Sequence, residues 1–178
     1  MLDFAQSTSV ASAVTAVTIT WSTPRFMYRI RSWLGPGSIV QGGLGGWWPT
    51  TTGQIGMSPR SARVLCVGPT EWLVVGEAVE VQRLSASPFC AVHVGEGLAQ
   101  MCVVGDAALA LLASFSALDF ENFAAGTCAR TRFSNVVAVV ERSAAAQFMF
   151  YFPRSYQQYL IACIHEVGLG KIEQRFEP

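Results

Sequence analysis

The succession of apolar runs along the chain predicts an α+β fold, built as two diverged small strand–helix repeats with antiparallel sheets. Three observations carry this reading. From Phe89 onward the pattern runs strand, strand, helix, strand, strand, helix; residues 25–86 echo it with a strand, a hairpin and a short helix. In addition, 51% of the 178 residues are hydrophobic, ample for the core of one domain of this length.

Residues 1–24 hold one charge, Asp3, and mix Ala, Val, Ser and Thr, with strand propensity at 14–21 but no strong period. They are expected to form an N-terminal arm, closed by Pro24, ahead of a single domain at 25–178 with pseudo-repeats near 25–86 and 87–170. Without a basic n-region, and broken throughout by Ser and Thr, the arm does not read as a secretory leader. Residues 25–32 alternate Phe26, Tyr28 and Ile30 with Arg25, Met27, Arg29 and Arg31, the period of a half-buried strand with a basic face. Residues 35–59 carry no charge and are rich in Gly, Pro, Thr and Trp, which predicts a long irregular connection. Its adjacent indoles, Trp47 and Trp48, need a surface to bury against, and a partner protein is the surface expected.

Residues 63–67 and 71–75 flank Gly68-Pro69-Thr70 and read as a hairpin, with a short helix expected at 77–85. Strands are expected at 89–94 and 98–104, separated by Gly95-Glu96-Gly97. Asp106 stands where an N-cap would open a helix to about residue 116. After a connection at 118–126, residues 129–142 read as one internal strand, and 148–152 as its neighbour. Pro153 suits a first helical turn, and Tyr156, Tyr159, Leu160, Cys163, Ile164 and Val167 follow at helical spacing until Gly168 and Gly170.

Only 13% of residues are charged, where globular chains average about 25%. The longest apolar stretch, 103–118, is too short for a membrane span and is broken by Gly105, Asp106, Ser114 and Ser116. A chain of this mean hydropathy, +0.36, is therefore expected to lie inside a protein assembly, not in a membrane. Twelve basic residues balance twelve acidic ones, which argues against a nucleic-acid partner. Lys171 is the single lysine; the other basic residues are Arg, the cation suited to interfaces, although a GC-rich genome has the same effect. Five cysteines without a C-x-x-C pair suit reduced thiols and a cytoplasmic protein.

Few residues offer chemistry. His93 and Glu96 are spaced as half a metal pair without further ligands, and His165-Glu166 lacks the second histidine of a zincin helix. No G-x-S-x-G elbow occurs, and the 42–46 glycine cluster lacks the Lys of a phosphate loop. Cys128, ahead of Arg130 and Arg132, is the cysteine nearest to an electropositive setting, yet a buried thiol is the expected state. Asp119 and Glu121 read as a solvated turn. Arg29 with Arg31, Arg130 with Arg132, and Arg154 beside Tyr156 remain. Arg130 and Arg132 share one strand face, fit to pair with a partner's carboxylates, an anionic ligand, or Glu71, Glu141 or Asp119 of the same chain.

The segment RVLCVGPTEWLVVGE at 63–77 resembles the Gly-Pro-x-Glu-Trp-Leu stretch of the gamma subunit family of heterotetrameric sarcosine oxidase. The runs at 105–112, Leu118-Asp119-Phe120, GTCARTRFSNVVAVVER at 126–142 and Arg154-Ser155-Tyr156 keep the same order, so the resemblance spans 25–168. It departs at AVHVG, 91–95, where His93 replaces the acid of a V-D-x-S stretch. The resemblance implies a folate-binding aminomethyltransferase-like fold and a noncatalytic subunit that packs on the large subunit's folate-binding domain. It implies no catalytic, cofactor or metal residue in this chain; FAD, FMN, NAD and tetrahydrofolate would sit on larger alpha, beta and delta type subunits. Partner contacts are then expected from Trp47, Trp48, Arg130, Arg132 and Arg154. The alternatives are a stand-alone aminomethyltransferase-like protein, with a folate site of its own, and an accessory subunit of an N-methylglutamate dehydrogenase.

Overall fold

Burial alternates along Val17–Ser22 and Cys128–Phe133, whereas Arg63–Gly68, Glu71–Val75 and Gln147–Pro153 are buried on both faces, and two sheets packed face to face result, each covered again on its outer side. The computed structural model describes residues 17–24, 26–34, 47–59, 61–76, 89–167 and 172–176. In chain order the strands are β1 (Val17–Ser22), β2 (Met27–Ser32), β3 (Ile55–Met57), β4 (Arg63–Gly68), β5 (Glu71–Val75), β6 (Phe89–His93) and β7 (Leu98–Val104). They continue with β8 (Cys128–Phe133), β9 (Val136–Ala144), β10 (Gln147–Pro153) and β11 (Ile172–Phe176). Two helices, α1 (Ala108–Ala113) and α2 (Gln157–Val167), lie among them.

The larger sheet runs β11-β1-β7-β10-β9-β8 and the smaller β3-β4-β5-β2-β6. Both contain one connectivity: the first strand of a unit pairs with its fourth, the fourth with the third, and the third with the second, as β2-β5-β4-β3 and β7-β10-β9-β8. The strand ahead of each unit crosses to the other sheet, so that β1 lies antiparallel to β7 and β6 antiparallel to β2. Every pairing is antiparallel except β1 with β11.

For residues 17–22 this topology corrects the reading as an arm, because Val17, Ile19 and Trp21 are core residues of an interior strand; residues 1–16 lie outside the described residues. Their alternation with Thr18, Thr20 and Ser22 was the signal, and the flanking Ser and Thr obscured it. The helix expected at 77–85 and the glycine cluster at 42–46 lie outside the described residues. The single strand expected at 129–142 is a hairpin. Ser134 and Asn135, with φ of 45° and 68°, form a two-residue turn whose left-handed pair matches the twist of its strands. A β-branched residue strains such a backbone, so Asn135→Val is expected to lower stability by about 1–3 kcal/mol in urea unfolding, and Asn135→Gly to leave it nearly unchanged. Asp106 does not cap α1: the N-cap is Ala107, without a side-chain bond, and Asp106 is exposed.

Ala99, Met101 and Val103 of β7, Phe148, Phe150 and Phe152 of β10, and Ala138 and Val140 of β9 bury one face of the larger sheet. Leu111, Leu112, Leu160 and Ile164 cover that face from α1 and α2. Tyr156 and Tyr159, expected on the inner stripe of the last helix, are instead exposed. Arg142, at the edge of this core, donates to the carbonyls of Phe120, Phe123 and Ala145 and stacks its guanidinium over Phe148, which ties the 118–126 connection to the sheet. Between the sheets, Met27, Leu65, Val67, Leu73 and Val75 meet Leu98, Cys128, Met149 and Tyr151.

Candidate functional site

The outer face of the smaller sheet shows what Trp47 and Trp48 bury against. Trp48 is 3% exposed and packs with Ile30, Val64, Cys66, Trp72 and Val74, its ring 6.1 Å from that of Trp72. Trp47 is half-buried against the same cluster. The indole N–H of Trp72 donates to the Pro49 carbonyl at 2.9 Å, and a Cβ at Gly56 would collide with the Trp47 carbonyl, so the segment is keyed to its own chain. The expectation that both indoles face a partner is therefore corrected. Strands β2, β4, β5 and β6 present one apolar face here, and the charge-free residues 47–49 cover it.

At the mouth between the two sheets the basic residues converge. Arg29 and Arg31 lie two apart on β2, on the face turned toward the larger sheet, and Arg130 stands on the facing side of β8. All three reach Glu71 of β5: Arg130 at 2.7 Å, Arg31 at 3.4 Å and Arg29 at 3.6 Å. Glu71 is 8% exposed, whereas the three guanidinium side chains are about half exposed. They rim a cavity of about 210 Å³ whose floor is Leu73, Leu98 and Val139. Among the described residues, one carboxylate against three guanidiniums leaves two positive charges uncompensated at this mouth.

Behind the cavity lies a buried polar set that sequence reasoning did not assemble. Arg63 approaches Glu141 at 3.2 Å and donates to the Tyr151 hydroxyl at 2.9 Å, while that hydroxyl donates to Glu141 at 2.7 Å. Glu141 is 1% exposed, and burial holds its carboxyl above the usual range against the pull of Arg63 and the Tyr151 hydrogen bond. Burial first, then the neighbouring Glu141 charge, raises the Tyr151 phenol well above its ordinary value. The sequence signal was a lone acid, Glu141, inside the apolar run VVAVVER. Beside this set, burial pushes Cys128 up to about 12 and raises Cys66, so neither is a thiolate nucleophile at neutral pH.

Of the other singled-out residues, Arg132 and Arg154 are exposed, one on the cavity side of β8 and one directly after Pro153 at the cavity rim. His93 is exposed, with its ring edge-on to Tyr28 at 5.1 Å. Asp119 accepts from the backbone N–H and side-chain amide of Asn122, which draw its pKa below the ordinary value in an exposed turn. Among the described residues, no cluster of three or more His, Cys, Asp or Glu has a metal-holding arrangement. No helix there is long and apolar enough to cross a membrane.

No protein-family model matches the chain, and no curated protein matches it in sequence. Solved structures do match it in shape. A chain of the heterotetrameric sarcosine oxidase from Corynebacterium sp. U-96, solved in complex with pyrrole 2-carboxylate, superimposes with a TM-score of 0.71 at 17% identity over 87% of each chain. The glycine cleavage system aminomethyltransferase T from Bartonella henselae matches with a TM-score of 0.61 at 10% identity, over 89% of this chain and 47% of that one. The fold is similar to that of the aminomethyltransferase. The chain spans about half of that enzyme and matches the oxidase chain nearly end to end.

Proposed function

We propose that this chain is a noncatalytic gamma-type subunit of a heterotetrameric sarcosine oxidase, stabilising the large subunit's folate-binding domain. In such a complex other subunits oxidise sarcosine to glycine and pass the one-carbon unit to tetrahydrofolate. The observation that supports this reading most is the match of 87% of both chains to a member of a heterotetramer, which makes the two chains equal in length. The order of motifs at 63–77 and 105–168 points the same way. FAD, FMN, NAD and tetrahydrofolate would then be carried by the larger subunits, in the cytoplasm.

Partner contacts in this reading come from exposed groups. Trp33 and Leu34, 72% and 70% exposed at the end of β2, supply an apolar anchor, and Arg132 and Arg154 supply unpaired forks. Arg130 already holds a carboxylate of its own chain. The test is to tag the chain in its native host, purify it gently, and record the masses and visible spectrum of what accompanies it. Larger subunits with flavin absorption are expected; a colourless chain that runs alone would refute the reading. Double replacement of Trp33 and Leu34 by Ser is expected to release the partners while leaving the chain's own melting midpoint unchanged. The aminomethyltransferase likeness favours a second reading, a stand-alone relative of that enzyme, which predicts tetrahydrofolate binding by the isolated chain. An accessory subunit of a related N-methylglutamate dehydrogenase differs only in the substrate oxidised by its partners.

A further inference from the structure

We propose that the cavity between Arg29, Arg31 and Arg130 binds a small organic carboxylate. Two sheets contribute the cations, Arg29 and Arg31 from β2 and Arg130 from β8, so their convergence belongs to the fold and not to one loop. Glu71, the one acidic residue lining the cavity among the described residues, lies within 3.6 Å of all three and fixes their direction. Each guanidinium has five N–H donors, and one carboxylate offers about four lone-pair sites, so the rim keeps donors for a second anion. Two uncompensated charges at this mouth repel each other, and a ligand carboxylate bridging Arg31 and Arg130 relieves that repulsion through paired N–H···O contacts.

The floor decides the class of anion. Leu73, Leu98 and Val139 present hydrocarbon below the guanidiniums, which inorganic phosphate or sulfate would leave wet. The cavity opens to solvent beside the guanidiniums, so a carboxylate meets them there while a short apolar group or a single ring attached to it covers the hydrocarbon.

The experiment is isothermal titration of the full-length protein, as purified, with benzoate, and with inorganic phosphate and acetate at the same ionic strength. Benzoate is expected to saturate one site per chain and to bind at least about tenfold more tightly than phosphate or acetate. Arg31→Gln, at a position 64% exposed, is expected to weaken benzoate about tenfold, as is Arg130→Gln. His165→Gln, exposed on α2 and outside the cavity lining, leaves it unchanged. The proposal is overturned by the absence of saturable benzoate binding to about 20 mM, by equal binding of phosphate, or by indifference to Arg31→Gln. It is independent of the proposed place in a complex: a chain that purifies alone is titrated in the same way, and loss of partners leaves the result standing.

Discussion

Trp48→Ala is expected to lower unfolding stability by about 3–5 kcal/mol, the cost of emptying an indole-sized volume from a packed core. The indole is 3% exposed and meets Trp72, whose own N–H is bonded to the adjacent Pro49 carbonyl, so collapse of the site would also disturb that bond. Domains hold only about 5–15 kcal/mol in all. The variant should therefore show a markedly lower urea midpoint, whereas Trp47→Ala, at a half-buried position, should move it less. A midpoint unchanged by Trp48→Ala would restore the loop to a partner-facing role.

Removal of Glu141 should cost nearly as much. Glu141→Ala strands the Arg63 cation and the Tyr151 hydroxyl, and breaking a buried pair from one side costs about 3–5 kcal/mol. The Arg63 side chain is 30% exposed and recovers some hydration, so about 3 kcal/mol is expected. A pH series separates charge from packing. The folded Glu141 pKa lies above its unfolded value of about 4.3, so the folded chain holds a proton that the unfolded chain has released. Its contribution is complete below that unfolded value and is lost as pH rises through the folded one. Glu141→Gln removes that slope. Denaturant midpoints measured from pH 4 upward should thus converge for the two proteins at the acid end, and parallel curves would show that Glu141 does not titrate there.

The sequence was most legible where a turn had its own chemistry. Gly68-Pro69-Thr70 punctuated the β4–β5 hairpin, but Ser134-Asn135 adopts a left-handed pair without glycine, and the apolar run through it masked the turn. β11, placed after the 168–171 stretch, was not read at all, because IEQRF, apolar at Ile172 and Phe176 alone, shows no apolar run or alternation. Burial of Trp47 and Trp48 was inferred correctly; its object was not, since a charge-free loop reads alike over its own core and over another's. At the mouth of the sandwich, the spacings 29/31 and 130/132 each put a pair on one face, and Glu71 stood among the expected partners of Arg130. That strands about a hundred residues apart oppose one another there is a property of sheet packing, which no local period records.

The crossing of β1 and β6 has a consequence for how this chain is made. Each sheet takes a strand from the other unit, so a cut between residues 76 and 89 leaves two fragments, each with a foreign strand to place and an open edge of its own. The parallel β1–β11 pair joins residue 17 to residue 172, and a ribosome must release the chain through β11 before the larger sheet can close. Mixed fragments should reassemble where each alone aggregates, and refolding should be slow for a domain of this size, held back by loop closure over most of its length.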